Sequence, residues 1–214
     1  MIVLVDAMRS ETLLSDQMPF TRSLATESPD ALAFAAYAPP PTVTMPRIKG
    51  LMSGTAPAFL DMVSNLASDA IMHDNLLYQL RTYGPPGQFG LFGDDTWLRL
   101  FPRHFDRSDG TTSFFVSDTV EVDLNVTRHL DTELARDDWS LLVFHYLGLD
   151  HIGHLEGPQS PLMPAKLTEM DDVIRRTYET VRAQVEAGAP PTLLVVCSDH
   201  GMNEVRFSLQ FLYF

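Results

Sequence analysis

An α/β fold with a mostly parallel central sheet flanked by helices is what this sequence predicts, and two observations predict it. Short apolar runs rich in β-branched residues recur along the chain, and each stops at small or acidic residues. Segments with apolar residues at helical spacing lie between most of them, so strand and helix alternate. In such a fold, binding residues gather at the carboxyl ends of the strands. The acids that close the runs are therefore the residues to watch.

Taken in order, Ile2–Val5 reads as a strand buried on both faces that delivers Asp6 to the sheet edge. The prolines at 39–41 and the following Thr42-Val43-Thr44-Met45-Pro46-Arg47 cannot continue a strand or helix, and Pro46 then suits a helix start. A helix is expected on Ile71, Leu76, Leu77, Leu80 and Tyr83. Strands follow at Phe89–Phe92, ending at Gly93-Asp94-Asp95, and at Phe114–Val116, ending at Ser117-Asp118. Val126, Leu130 and Leu134 mark another helix, and Leu141–Leu147 a strand that ends at Gly148-Leu149-Asp150. Leu167, Met170, Val173, Ile174, Tyr178, Val181 and Val185 give a long helical stripe. Glu186–Pro191 reads as an exposed loop into a last strand, Leu193–Cys197, which ends at Ser198-Asp199-His200. The aromatic Phe207, Phe211, Tyr213 and Phe214 then arrive with no helix to cover them.

The 214 residues suit one domain, and 45% hydrophobic content provides a sizeable core. With 15 Lys and Arg against 28 Asp and Glu, the formal charge is −13. That balance argues against a sequence-independent nucleic-acid partner, which needs a surplus of basic residues. It also repels phosphate on average, so an anionic substrate requires a local positive element such as metal ions. The single cysteine, Cys197, excludes an internal disulfide and reads as a buried thiol without a redox task. No secretory signal precedes Asp6, and the longest apolar runs fall short of the roughly 18–20 residues of a bilayer span.

Three strand ends supply metal-type ligands: Asp6, the pair Asp150 and His154 in Asp-His-Ile-Gly-His, and Asp199-His200 in Ser-Asp-His-Gly-Met. Each alone reads equally as a cap, a turn or an accident of spacing. Together, carboxylates and imidazoles from separate strand ends suit zinc, with manganese the less favoured ion. A hydroxyl nucleophile would complete such a site, because a bound divalent ion lowers the pKa of an alcohol. Thr44 sits at a loop-to-helix junction where backbone N–H groups favour phosphate, and Thr42 is its rival in the same loop. Both also read as helix caps.

Several segments resemble the catalytic domain of the GPI ethanolamine phosphate transferase 2 family, a branch of the alkaline phosphatase superfamily. They are Val-Leu-Val-Asp-Ala-Met-Arg around Asp6, Pro-Pro-Thr-Val-Thr-Met-Pro-Arg-Ile-Lys-Gly around Thr44, and Phe-Gly-Asp-Asp-Thr-Trp-Leu-Arg-Leu-Phe-Pro. Asp-Gly-Thr-Thr-Ser-Phe-Phe-Val-Ser-Asp, Asn-Val-Thr-Arg-His-Leu-Asp, His-Tyr-Leu-Gly-Leu-Asp-His-Ile-Gly-His and Ser-Asp-His-Gly-Met belong to the same pattern, which runs to Glu204. The resemblance implies an alkaline phosphatase-like catalytic domain over 1–204, C-terminally incomplete, and a divergent hydrophobic tail over 205–214. It implies transfer of phosphoethanolamine from phosphatidylethanolamine to the second mannose of a GPI anchor precursor, through a threonine phosphorylated at a two-zinc site. It also implies a lumenal domain at the endoplasmic reticulum membrane, with the membrane spans and a small membrane partner subunit lying outside this sequence.

Transferred position by position, the resemblance assigns Asp6, Thr44, Asp199 and His200 to one zinc, with Thr44 as nucleophile. Asp150 and His154 become two ligands of the other zinc. Asn65 takes the place of an oxyanion donor by its spacing from Thr44. The family pattern has a further histidine in a Gly-Ser-His-Gly stretch after Asp-His-Gly-Met, whereas Glu204 here is followed by Val205-Arg206-Phe207. An incomplete second zinc site, weak metal binding there and little activity of this chain alone are the expectations. A metal-dependent phosphodiesterase of the same superfamily, or an inactive fragment, are the competing readings. Arg47 and Lys49 read as solvated charge. His104, His129, His145 and His151 read as core or surface residues, Trp97 and Trp139 as core or rim, and Asn125-Val126-Thr127 is a glycosylation sequon.

Overall fold

The computed structural model describes residues 1–38, 40, 42–56, 70, 71, 73–113 and 115–202. Five strands form one sheet in the order β3-β2-β4-β1-β5, and every neighbouring pair is parallel. They are β1 (Ile2–Val5), β2 (Gln88–Asp94), β3 (Arg107–Thr111), β4 (Trp139–Tyr146) and β5 (Val195–Cys197). The helices are α1 (Ser10–Leu13), α2 (Pro19–Glu27), α3 (Thr44–Ser53), α4 (Leu76–Tyr83), α5 (Thr96–Leu100), α6 (Glu121–Leu134), α7 (Gly148–Glu156) and α8 (Met163–Glu186). The predicted α/β class with a mostly parallel sheet is the observed one.

β1 is fully buried because both faces of the sheet are covered. Alternation along the strands splits the core. Val3, Val5, Leu142, Phe144 and Tyr146 pack with α6 and α8, through Val126, Leu130, Leu167, Met170, Val173 and Ile174. Ile2, Leu4, Leu141 and Val143 pack on the other face with Ile48, Leu77, Trp97 and Leu100 from α3, α4 and α5. Each such side chain, once fully buried, contributes about 1.5–3 kcal/mol. In α8 the predicted stripe is buried at Leu167, Met170, Val173, Ile174 and Val181, while Val185 is exposed.

Five elements differ from the sequence reading. The predicted strand at Phe114–Val116 is not one: Phe115 and Val116 lie in an exposed turn, and Phe114 is outside the described residues. One edge strand is the polar β3, which the apolar pattern could not reveal because its charges are paired. Arg107 bonds Glu133 at 2.7 Å and Asp109 bonds Arg128 at 2.6 Å, a charged edge of the kind that discourages further pairing. α4 begins at Leu76 rather than near Ile71, since Asn75 caps it by accepting from the Tyr78 N–H at 3.0 Å. β5 begins at Val195, and Leu193 is exposed. α2, which starts on Pro19, was not foreseen. The tail from 205 onward and the expected boundary at 204 lie outside the described residues.

Because all five strands run the same way, Asp6 and the Asp199-His200 pair, which follow β1 and β5, and Asp94, which ends β2, lie at one edge of the sheet. α7 leaves the same edge after β4 and carries Asp150 and His154. Gly153 of α7 has no side chain where the Met202 thioether packs, so the loop that follows β5 docks on this helix.

Candidate metal centre and nucleophile

Asp6 and Asp199 are almost wholly buried, at 0% and 1% exposure, and His200 is 9% exposed. Burying two carboxylates side by side costs free energy unless positive charge or hydrogen bonds compensate. Their ligand atoms, with one from His200, all lie within 4.8 Å of one another. His200 Nε2 is 3.4 Å from Asp6 Oδ1 and 3.3 Å from Asp199 Oδ2. Those two oxygens are buried and have no hydrogen-bond partner among the described residues. His200 Nδ1 faces the Gly201 carbonyl at 3.2 Å, so a proton there leaves the Nε2 lone pair free. One divalent ion would satisfy both orphaned oxygens and this nitrogen, and the mixed oxygen and nitrogen donors fit zinc.

The remaining oxygens hold the site together. Asp6 Oδ2 accepts from the Thr44 hydroxyl at 3.1 Å, and Asp199 Oδ1 accepts from the Ala7 N–H at 3.4 Å. Ala7 adopts a left-handed backbone, φ 57°, which turns that N–H toward β5. A non-glycine residue in this region costs about 1–2 kcal/mol, the kind of local strain found where a site demands it. Burial and the neighbouring Asp6 charge push the Asp199 carboxyl above its ordinary range. Burial, the largest single effect, would raise Asp6 too, but the neighbouring His145 and His200 together outweigh it and hold that carboxyl low. A shared cation would relieve both.

Thr44 opens α3, at the positive end of the helix dipole. Thr42 is exposed and makes no bond to Asp6, so the structure separates two residues that the sequence left level. Arg47 corrects the expectation of a solvated charge. It is 8% exposed, and its Nε donates to the Asp199 carbonyl at 2.8 Å, which ties α3 to the loop after β5.

Asp150 and His154 sit one turn apart on α7, 3.3 Å from each other. Asp150 Oδ1 is buried and has no partner among the described residues, whereas the His154 side chain is 61% exposed. The Asp150 hydrogen bond raises the His154 pKa above its usual value, and the charges of Asp150 and Asp6 add to it. Among the described residues, Asp150 and His154 form a pair outside the cluster of Asp6, Asp199 and His200. Asn65 lies outside the described residues.

Sequence reasoning missed His145. It is fully buried, stands opposite Leu4 in the β1 to β4 register, and places Nε2 3.4 Å from Asp6 Oδ2. Sliding the Ile2–Val5 run against Leu141–Leu147 in parallel would have brought it beside Asp6. His151 is buried with Nδ1 on the Asp118 carbonyl at 2.6 Å, and His129 bonds Asp109, as core and surface roles require.

Residues 96–212 match the type I phosphodiesterase / nucleotide pyrophosphatase family. Over 95% of its length the chain is 50% identical to human GPI ethanolamine phosphate transferase 2, catalytic subunit, and 48% identical to GPI ethanolamine phosphate transferase 2 of Schizosaccharomyces pombe. The Aspergillus oryzae protein of that name is 54% identical over 81% of the chain. The chain spans only 21%, 28% and 20% of the lengths of these three relatives. A crystal structure of a protein in the alkaline phosphatase superfamily from Vibrio parahaemolyticus shares the fold, with a TM-score of 0.56 at 12% identity over 97% of this chain and 55% of that one.

Proposed function

Because the chain belongs to the type I phosphodiesterase / nucleotide pyrophosphatase family, we propose that it is catalytic sequence of a phosphoethanolamine transferase of GPI anchor biosynthesis. The names of its curated relatives support that reading. The observation that carries it is the Thr44 hydroxyl, 3.1 Å from Asp6 Oδ2 and beside the orphaned oxygens of Asp6 and Asp199. Asp6, Thr44, Asp199 and His200 would hold one zinc, and Asp150 and His154 would supply two ligands to a second. When bound, zinc supplies Lewis-acid stabilisation of charge on the phosphoryl oxygens and lowers the pKa of the nucleophilic hydroxyl.

Thr44 Oγ1 forms the bond to phosphorus as the bond to the diacylglycerol oxygen of phosphatidylethanolamine breaks, and one proton passes to the departing oxygen. Thr44 then carries phosphoethanolamine as a phosphodiester. A hydroxyl of the second mannose attacks next, the Oγ1–phosphorus bond breaks, and the threonine hydroxyl is restored. Asp6 accepts from that hydroxyl and orients it, the α3 N-terminus favours the incoming anion, and Asn65 donates to a phosphoryl oxygen. With a GPI precursor as acceptor, the reaction would run at the lumenal face of the endoplasmic reticulum membrane. No helix among the described residues is long and apolar enough to cross a membrane. The human relative is named a catalytic subunit, which supports a further subunit as partner.

Labelled short-chain phosphatidylethanolamine and zinc test the proposal by trapping and peptide mapping. Label is expected on Thr44, unchanged in Thr42→Ala, absent in Thr44→Ala, and transferred on addition of a mannosyl acceptor. Label that survives Thr44→Ala would refute the nucleophile. Free phosphoethanolamine released without an acceptor would point to a hydrolytic phosphodiesterase instead.

A further inference from the structure

We propose that His145 is a positioning residue for Asp6, and that Trp97 fixes it in that task by holding the tautomer with the proton on Nε2. The inference extends the reading of Asp6 as a metal ligand and rests on it for its consequence, though not for its geometry. The Trp97 indole nitrogen lies 3.0 Å from His145 Nδ1, and both side chains are fully buried. An indole N–H can only donate, so Nδ1 must present its lone pair. In the neutral ring the proton is then on Nε2, which faces Asp6 Oδ2 at 3.4 Å.

The ring cannot be turned over without loss. Rotation by a half turn would place ring carbons against both the indole N–H and the Asp6 carboxylate, and leave the buried indole N–H without its acceptor. A proton on Nδ1 would break the buried bond from Trp97. The approach of β2 to β4 that sets up this geometry depends on Gly93, paired with His145. A Cβ at Gly93 would fall 2.1 Å from the His145 carbonyl oxygen, and its φ of 128° suits no other residue.

The consequence is a division of labour on one carboxylate. Oδ2 accepts from Thr44 and faces His145 Nε2 at 3.4 Å, so Oδ1 is left for the ion with Asp199 Oδ2 and His200 Nε2. The two histidines beside Asp6 carry opposite tautomers. A proton on His200 Nδ1 would face the Gly201 carbonyl and leave Nε2 as a ligand, whereas the proposed proton on His145 Nε2 would face Asp6.

Long-range proton–nitrogen correlation on the metal-free, 15N-histidine-labelled chain tests this directly, with His145→Gln used to assign the signals. The expected result is an unprotonated Nδ1 and a protonated Nε2 at His145, and loss of that preference in Trp97→Phe. A ring protonated at Nδ1, alone or together with Nε2, would overturn the proposal. Zinc affinity by competition with a chelating dye gives a second reading. Glutamine can replace the Nε2 donor, so His145→Gln should bind within about threefold of the unsubstituted chain, while His145→Leu should lose about 10–100-fold. Equal losses in the two variants would also overturn it. Zinc binding unaffected by Asp199→Asn would instead refute the metal assignment, whatever tautomer His145 adopts.

Discussion

Arg47 is the residue whose position changes its meaning most. In the sequence it stands in Pro-Arg-Ile-Lys at a helix start and reads as solvent-facing charge, but in the fold its guanidinium donates to the Asp199 carbonyl. A hydrogen bond from a charged donor contributes about 1.5–3 kcal/mol. Arg47→Met is therefore expected to lower unfolding stability by about that amount, measured in urea, and to weaken zinc binding through the loosened Asp199 loop. Unchanged stability and unchanged affinity would show that the bond holds nothing. The same contrast separates Thr44 from Thr42. Local signals make both residues caps, and of the two it is Thr44 whose hydroxyl meets Asp6.

At the level of secondary-structure elements, the start of α7 is clamped from behind. Asp123 of α6 accepts from the Leu147 and Gly148 N–H groups at 2.9 and 3.0 Å and from Lys166 Nζ at 3.0 Å. Gly148 leaves room for this, since a Cβ there would lie 2.4 Å from Asp123 Oδ2. Lys166 and Asp123 are both buried, so removing one partner strands the other charge. Lys166→Met is expected to cost about 3–5 kcal/mol by chemical denaturation, whereas a loss under about 1 kcal/mol would mean that Asp123 is satisfied by the backbone alone. Asp106 performs a similar task at β2, accepting from the Phe89 N–H at 2.8 Å and from Arg81 at 2.6 Å. Burial opposes ionisation, but these two donors win and hold the carboxyl below its usual value. A lowered folded-state pKa means that the contribution is complete above the unfolded-state pKa and is lost as pH falls through the folded one. In acid titrations of stability, Asp106→Asn should therefore show a shallower decline below about pH 4 than the unsubstituted chain. Parallel curves would exclude that contribution.

Across the whole molecule, the acidic balance and the proposed phosphate chemistry are reconciled only by the site. Two buried carboxylates with unpartnered oxygens destabilise the empty fold, and an ion that binds them only when folded stabilises it by mass action. Zinc at about 100 times its dissociation constant should add about 2.7 kcal/mol, seen as a rise in Tm that a chelator reverses and that Asp199→Asn abolishes. A Tm indifferent to zinc would count against the centre. The alternation of strand and helix, the parallel sheet and the acids at the strand ends are legible in the chain before it folds, because apolar period and run length are local properties. Asp6, Thr44, Asp150, His154, Asp199 and His200 are legible there too, as ligand-type residues. Folding settles the rest: Asp6, Asp199 and His200 converge, Thr44 and not Thr42 meets Asp6, Arg47 is buried, and Trp97 and His145 stand behind the carboxylate. Those facts depend on which strands are neighbours and in what register, and neither is written in any short stretch of chain.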